Sequence, residues 1–132
     1  MSKTKNSNPP PSILTSGFKV YLMQQENPDL YQSMLDGGEL VNLVHESPEG
    51  KNDTVGFGHK MSDREQKTQM IDGVALENFK TEDVARLFRK DQAITWEKVR
   101  QKLLRRDKPV NLNTLDSRQS EILFDYEFNV AN

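Results

Sequence analysis

Between residues 45 and 60 the chain reads HESPEGKNDTVGFGHK. This stretch carries both histidines of the protein, His45 and His59, together with Glu46, Glu49, Asp53, Thr54 and the glycines Gly50, Gly56 and Gly58. Carboxylates and a hydroxyl this close in sequence suit acid–base work on a bond between sugars. Glycoside cleavage needs one carboxylic acid to protonate the departing oxygen. It usually needs a second carboxylate as base, nucleophile or charge stabiliser. Glu46 is the candidate acid. Placed where a helix ends, with Val44 and Phe57 reducing its exposure, its carboxyl is expected to be desolvated and its pKa raised, as a general acid near neutral pH requires. Asp53 and Glu49 are candidates for the second carboxylate, and Thr54 can position a water. Gly56, Phe57 and Gly58 form the expected substrate-binding edge, where missing side chains let a sugar ring come close.

Other chemistries fit less well. The spacing of His45, Glu46 and His59 matches no compact ligand set, so no metal and no cofactor are expected. The chain has no serine in a nucleophile elbow and no phosphate-binding loop. It has no cysteine, which excludes disulfides and thiolate chemistry.

The elements that must hold these residues can be read from pattern. Residues 1–12 are polar and contain three consecutive prolines, Pro9 to Pro11. They read as a flexible leader or as a docking arm that orders on a partner. Residues 13–37 read as an N-terminal helical extension. Its apolar residues are Ile13, Leu14, Phe18, Val20, Tyr21, Leu22 and Met23, followed by a break at Pro28 and a short helix over 29–35. Gly37-Gly38 ends that helix. Residues 39–46 are expected to form another short helix that ends in Glu46, and 51–53 a polar turn. Residues 54–58 are expected to form a strand that alternates side chain and glycine. Thr81 reads as the N-cap of a long helix running to about Leu104, with Val84, Leu87, Phe88, Val99 and Leu103 on its buried side. Asp116 or Ser117 caps a last helix, with Ile122, Leu123 and Tyr126 expected to face inward.

With 132 residues, one principal domain is expected. A net charge of −2, with 29% of residues charged, argues against a nucleic-acid binder. No apolar run is long enough to span a bilayer, so no membrane segment is expected. The N-terminus lacks the apolar core of a signal peptide, which predicts synthesis in a cytoplasm and release by other means.

Four segments in order resemble the phage-type lysozymes, the endolysin muramidases. TVGFGH at 54–59 is similar to their T-x-G-x-G-H strand, and ELVNLVHE at 39–46 to the helix ending in their catalytic glutamate. KTEDVARLFRKD at 80–91 and LDSRQSEILFDYEFNVAN at 115–132 resemble two of their later helices. The resemblance covers residues 38–132 and implies an α+β, lysozyme-like fold, mostly helical with a small β-hairpin lobe. It implies cleavage of the β-1,4 bond between N-acetylmuramic acid and N-acetylglucosamine in bacterial peptidoglycan. Glu46 then matches the proton donor, Thr54 the threonine that positions water, His59 a supporting histidine and Asn129 a structural asparagine. The family's aspartate falls on Pro48 here, and Glu39 becomes a donor if the alignment gap is placed elsewhere. A single glutamate would also suit a lytic transglycosylase. The family continues past the Asn129 motif, so part of the helical lobe is expected to be absent or supplied by another chain. The resemblance places the protein in a host bacterial cytoplasm during synthesis and at the cell wall during action. A virion tail or baseplate component with the same fold is the alternative, its partners other virion proteins reached through the N-terminal arm.

Overall fold

The computed structural model describes residues 16–47 and 51–129. The expected tail at 1–12, together with Ile13, Leu14, Pro48 and Glu49, lies outside them. The structure mixes α-helices with small antiparallel sheets. Its described residues divide into two compact units, residues 20–89 and residues 16–19 with 90–129. No helix among the described residues is long and apolar enough to cross a membrane.

In chain order the first elements are α1 (Ser16–Glu26) and α2 (Pro28–Asp36). Asn27 caps α2, its Oδ1 accepting from the Leu30 N–H at 3.2 Å, and Pro28 opens the helix where no N–H is needed. Gly37 closes α2 in a left-handed conformation, φ 73°, where a side chain would add strain. The break at Pro28, the helix after it and the glycine stop agree with the sequence pattern.

Residues 39–46 do not form a helix. The chain runs irregularly to a short strand, β1 (Val44–His45), which pairs with β2 (Thr54–Val55); β2 pairs in turn with β3 (His59–Lys60). All pairings are antiparallel, with His45, Thr54 and Lys60 in one row and Val44, Val55 and His59 in the next. An eight-residue helix is too short to stand on propensity alone. Here tertiary bonds hold the segment open. Asn27 Nδ2 donates to the Asn42 carbonyl at 2.9 Å, Asn42 takes a positive φ of 62°, and the Gly56 N–H donates to the Leu43 carbonyl at 2.8 Å. The expected strand over 54–58 is likewise shorter. Gly56 and Gly58 both have positive φ, so Gly-Phe-Gly makes the turn between β2 and β3.

Next come α3 (Asp63–Thr68), the hairpin β4 (Met70–Ile71) with β5 (Val74–Ala75), and a 3₁₀ turn, Leu76–Asn78. Ser62 and Glu65 form a reciprocal capping box on α3. The long helix α4 (Thr81–Leu104) ends where the sequence predicts. Its cap differs: Thr81 is the first helical residue, and the Asp83 carboxylate accepts from the Lys80 N–H at 2.8 Å. Within residues 20–89, Leu22, Leu30, Val55, Phe57, Phe79, Val84 and Phe88 are buried.

The last helix, α5 (Ser117–Asn129), is capped by Asp116, whose Oδ1 accepts from Gln119 N–H at 2.8 Å. Its buried face differs from the expected one. Ser120, Phe124, Glu127 and Phe128 point inward, while Ile122 and Tyr126 are 61% and 57% exposed. Aromatic packing sets this choice. Phe124 meets Trp96 of α4 with ring centroids 6.2 Å apart, Phe18 edge-on at 6.0 Å, and Phe128 stacked at 5.6 Å.

Candidate active site

The expected site residues sit in the unit of residues 20–89, apart from Asn129. The pairing that puts His45, Thr54 and Lys60 in one row also puts their side chains on one face of the sheet. Thr54 and His45 are half-buried there. The Nδ1 of His45 is closed off from solvent and finds no hydrogen-bond partner among the described residues.

The opposite face is tied to α3 by side-chain bonds. Val55 is fully buried on it, and His59 Nε2 lies 2.8 Å from Glu65 Oε1. Burial raises the Glu65 pKa, but the hydrogen bond from the Ser62 N–H and the contact with His59 outweigh it. The carboxyl therefore stays ionised below the usual glutamate range. Asp53 continues the same face. Its backbone N–H donates to Gln66 Oε1 at 2.7 Å, and Gln66 Nε2 returns a bond to Asp53 Oδ2 at 3.1 Å. Asn52 adds bonds to the Met61 carbonyl and to Asp63. Asp53 is thus part of a clamp between the strand end and α3.

Glu46 follows β1 and is exposed, not at a helix end. The burial that the sequence reading assigned to it is missing, because the apolar residue meant to cover it turns away. Phe57 is 3% exposed and packs against Phe88 with centroids 5.3 Å apart. Gly56 is buried too, and its carbonyl accepts from Asn27 Nδ2 at 3.0 Å. Gly56 and Phe57 therefore build the core beneath the sheet, whereas Gly58 remains half-buried. Asn129, in the other unit, donates to Asp125 Oδ1 at 2.6 Å within α5.

A cleft of about 580 Å³ opens in the same unit as the sheet. Its wall runs from Gly37 through Glu39, Leu40 and Leu43, then from Leu76 and Glu77 to Phe79, Lys80 and Glu82. Glu39 is among these residues and Glu46 is not. Glu39 is exposed, as Glu46 is, but the chain two residues after it is anchored. Ser33 donates to the Leu30 carbonyl at 2.8 Å and accepts from the Val41 N–H at 3.1 Å, which fixes the chain just after Glu39 onto α2. Leu40, Leu43, Leu76 and Phe79 give the cleft apolar wall beside its charged groups.

Sequence reasoning overlooked Asn27, Glu65 and Gln66. Two of them had a local signal: Asn before Pro at 27–28, and Ser-x-x-Glu at 62–65, are helix-start signatures. Gln66 had none, since its role rests on Asp53, thirteen positions away. Among the described residues no three of His, Asp and Glu are grouped to hold a metal ion. No family model, no curated protein and no solved structure matches the chain.

Proposed function

We propose that this chain is a peptidoglycan-cleaving glycosidase of the phage-lysozyme kind, acting on the β-1,4 bond between N-acetylmuramic acid and N-acetylglucosamine. The observation that carries this reading is the cleft in the unit that also holds the sheet. A glutamate anchored just past a helix end lines it, in the same compact unit as the strand that presents Thr54. That arrangement sets a carboxylic acid on a cleft wall that also holds Leu40, Leu43 and Phe79, and protonation of a glycosidic oxygen needs such an acid within reach.

Two glutamates compete for the role of donor. Glu46 is the one the strand motif points to, and Glu39 is the one the cleft wall contains. The geometry favours Glu39, because Leu40, Leu43 and Phe79 can exclude water from it when a glycan fills the cleft. Thr54 stands on the sheet and not on the cleft wall, so it holds a water or the anomeric face only where the glycan extends onto the sheet. Asp53 is tied to Gln66, so a second carboxylate comes most directly from Glu77 or Glu82 on the cleft wall. If neither serves, the substrate's own hydroxyl closes a 1,6-anhydro ring, as in a lytic transglycosylase. The protein acts at the bacterial cell wall, during lysis or as part of a virion.

Clearing of cell-wall suspensions by Glu39→Gln and Glu46→Gln tests the assignment. Glu39→Gln is expected to lose about 100-fold or more, the scale of a general acid, while Glu46→Gln keeps most of the rate. The reverse outcome moves the donor to Glu46. Mass spectrometry of the released muropeptides separates hydrolysis from ring closure by one water. If the parent protein releases no muropeptide, the glycosidase reading is wrong and a structural virion role replaces it.

A further inference from the structure

The cleft between residues 37–43 and 76–82 has a charge pattern that its shape alone does not require. Three carboxylates, Glu39, Glu77 and Glu82, stand on its wall against one ammonium, Lys80. All four residues are exposed. A volume of about 580 Å³ is a space roughly 8 Å across, about one Debye length at physiological ionic strength, so salt hides none of these charges from an occupant. Lys80 does not cancel the acids. Its ammonium is shared with the Asp83 carboxylate, which the Lys80 N–H, the Arg86 guanidinium and that ammonium together hold below the usual aspartate range. A glutamate that serves as proton donor is neutral when it acts. With Glu39 in that state, Glu77 and Glu82 still outnumber the lysine.

We propose that the cleft takes a glycan in which at least one sugar carries a free ammonium group in place of its N-acetyl group, and that Glu77 and Glu82 set this preference. The preference rests on the glycosidase reading of the cleft and adds the charge of the substrate to it. A concave wall with an excess of one sign concentrates the opposite sign. An N-acetyl group is neutral and gains nothing from that field. An ammonium in the same place gains from each carboxylate, and it donates three hydrogen bonds where an amide N–H donates one. The carboxylates of stem peptides are repelled by the same wall. Leu40, Leu43 and Phe79 pack against either form of the sugar, so the discrimination falls to the charged groups. The reaction that supplies such a substrate is hydrolysis of the N-acetyl amide, in which water yields acetate and the amine before this chain acts.

A matched pair of substrates tests it. One batch of glycan strands, stripped of stem peptides and N-deacetylated, is split and half of it is re-acetylated, so that the two halves differ only in the charge of the amino sugar. Fragments released by the full chain are measured by mass spectrometry at about pH 6, where a free amine is protonated. The deacetylated half is expected to be cleaved about fivefold faster at low salt, the scale of a few partly screened charge pairs across the cleft. That ratio is expected to fall towards unity in about 1 M salt, where the Debye length is roughly 3 Å. Glu77→Gln and Glu82→Gln are each expected to lower the ratio about twofold and Lys80→Gln to raise it about twofold, whatever each does to the rate itself. A parent ratio at or below unity, or a ratio indifferent to both glutamates, overturns the preference and leaves a glycosidase for N-acetylated strands. Fragments from neither half overturn the glycosidase reading and the preference with it.

Discussion

The two units are held by different kinds of force. In residues 90–129, with 16–19, four rings pack together: Phe18, Trp96, Phe124 and Phe128. Three helices present them, α1 with Phe18, α4 with Trp96 and α5 with Phe124 and Phe128, so backbone bonding is satisfied inside each helix and side chains need only be apolar and well fitted. In residues 20–89 the strands are two residues long and cannot sustain themselves. There a few polar side chains do the holding: Asn27 on two carbonyls, Ser33 on the 39–41 segment, Gln66 on Asp53, Glu65 on His59. A cleft wall built on irregular backbone needs directional bonds. Helix pairs need area.

Three substitutions sharpen this contrast. The largest effect is expected in the helical unit. Phe124→Ala leaves a hole among three rings at a fully buried site and is expected to destabilise by about 3–5 kcal/mol in denaturant unfolding. Asn27→Ala comes next, at about 2–3 kcal/mol. It removes a helix cap and leaves the buried Gly56 carbonyl and the Asn42 carbonyl without their donor. Its diagnostic feature is function: cell-wall clearing should fall further than stability explains, because the 39–43 segment loses its anchor. Were Phe124→Ala to impair clearing at a temperature where it remains folded and Asn27→Ala not, the assignment of the cleft to polar anchoring would be wrong.

The smallest effect tests the electrostatic tie between β3 and α3. Glu65 is held below its ordinary value of 4.5 by Ser62 and His59 against the effect of burial. A carboxylate depressed by folding contributes stability that is present above its unfolded pKa and is lost as pH falls through the folded one. Glu65→Gln should therefore destabilise by about 1 kcal/mol near pH 7, where a charge-assisted bond is weakened. The difference from the parent should shrink steadily below about pH 4.5, where the parent also loses its charge. Paired unfolding curves at several pH values measure this. A gap that stays constant down to pH 3 contradicts the tie.

Much of the helical framework could be read directly. The break at Pro28, the Gly37 stop and the span of α4 follow from backbone chemistry that acts over one helical turn. So do the mixed character of the fold and the polar turn before Thr54. The errors have a common cause. Residues 39–46 carry apolar residues at helical spacing, but Asn27 and Gly56 bond to the carbonyls of Asn42 and Leu43 and hold the segment extended. On α5, Ile122, Leu123 and Tyr126 make as good an apolar stripe as the one used. Phe124 and Phe128 took the inner face because Trp96 and Phe18 were there to receive rings.

The sequence alone therefore determined where α2 and α4 stop, where α5 starts and which residue types could do acid–base chemistry. Those properties depend on neighbours within a turn or two. Tertiary structure decided which glutamate lines a cleft, which glycines became core and which face of α5 stayed in solvent. Each of those outcomes depends on partners many positions away, and local periodicity carries no information about them.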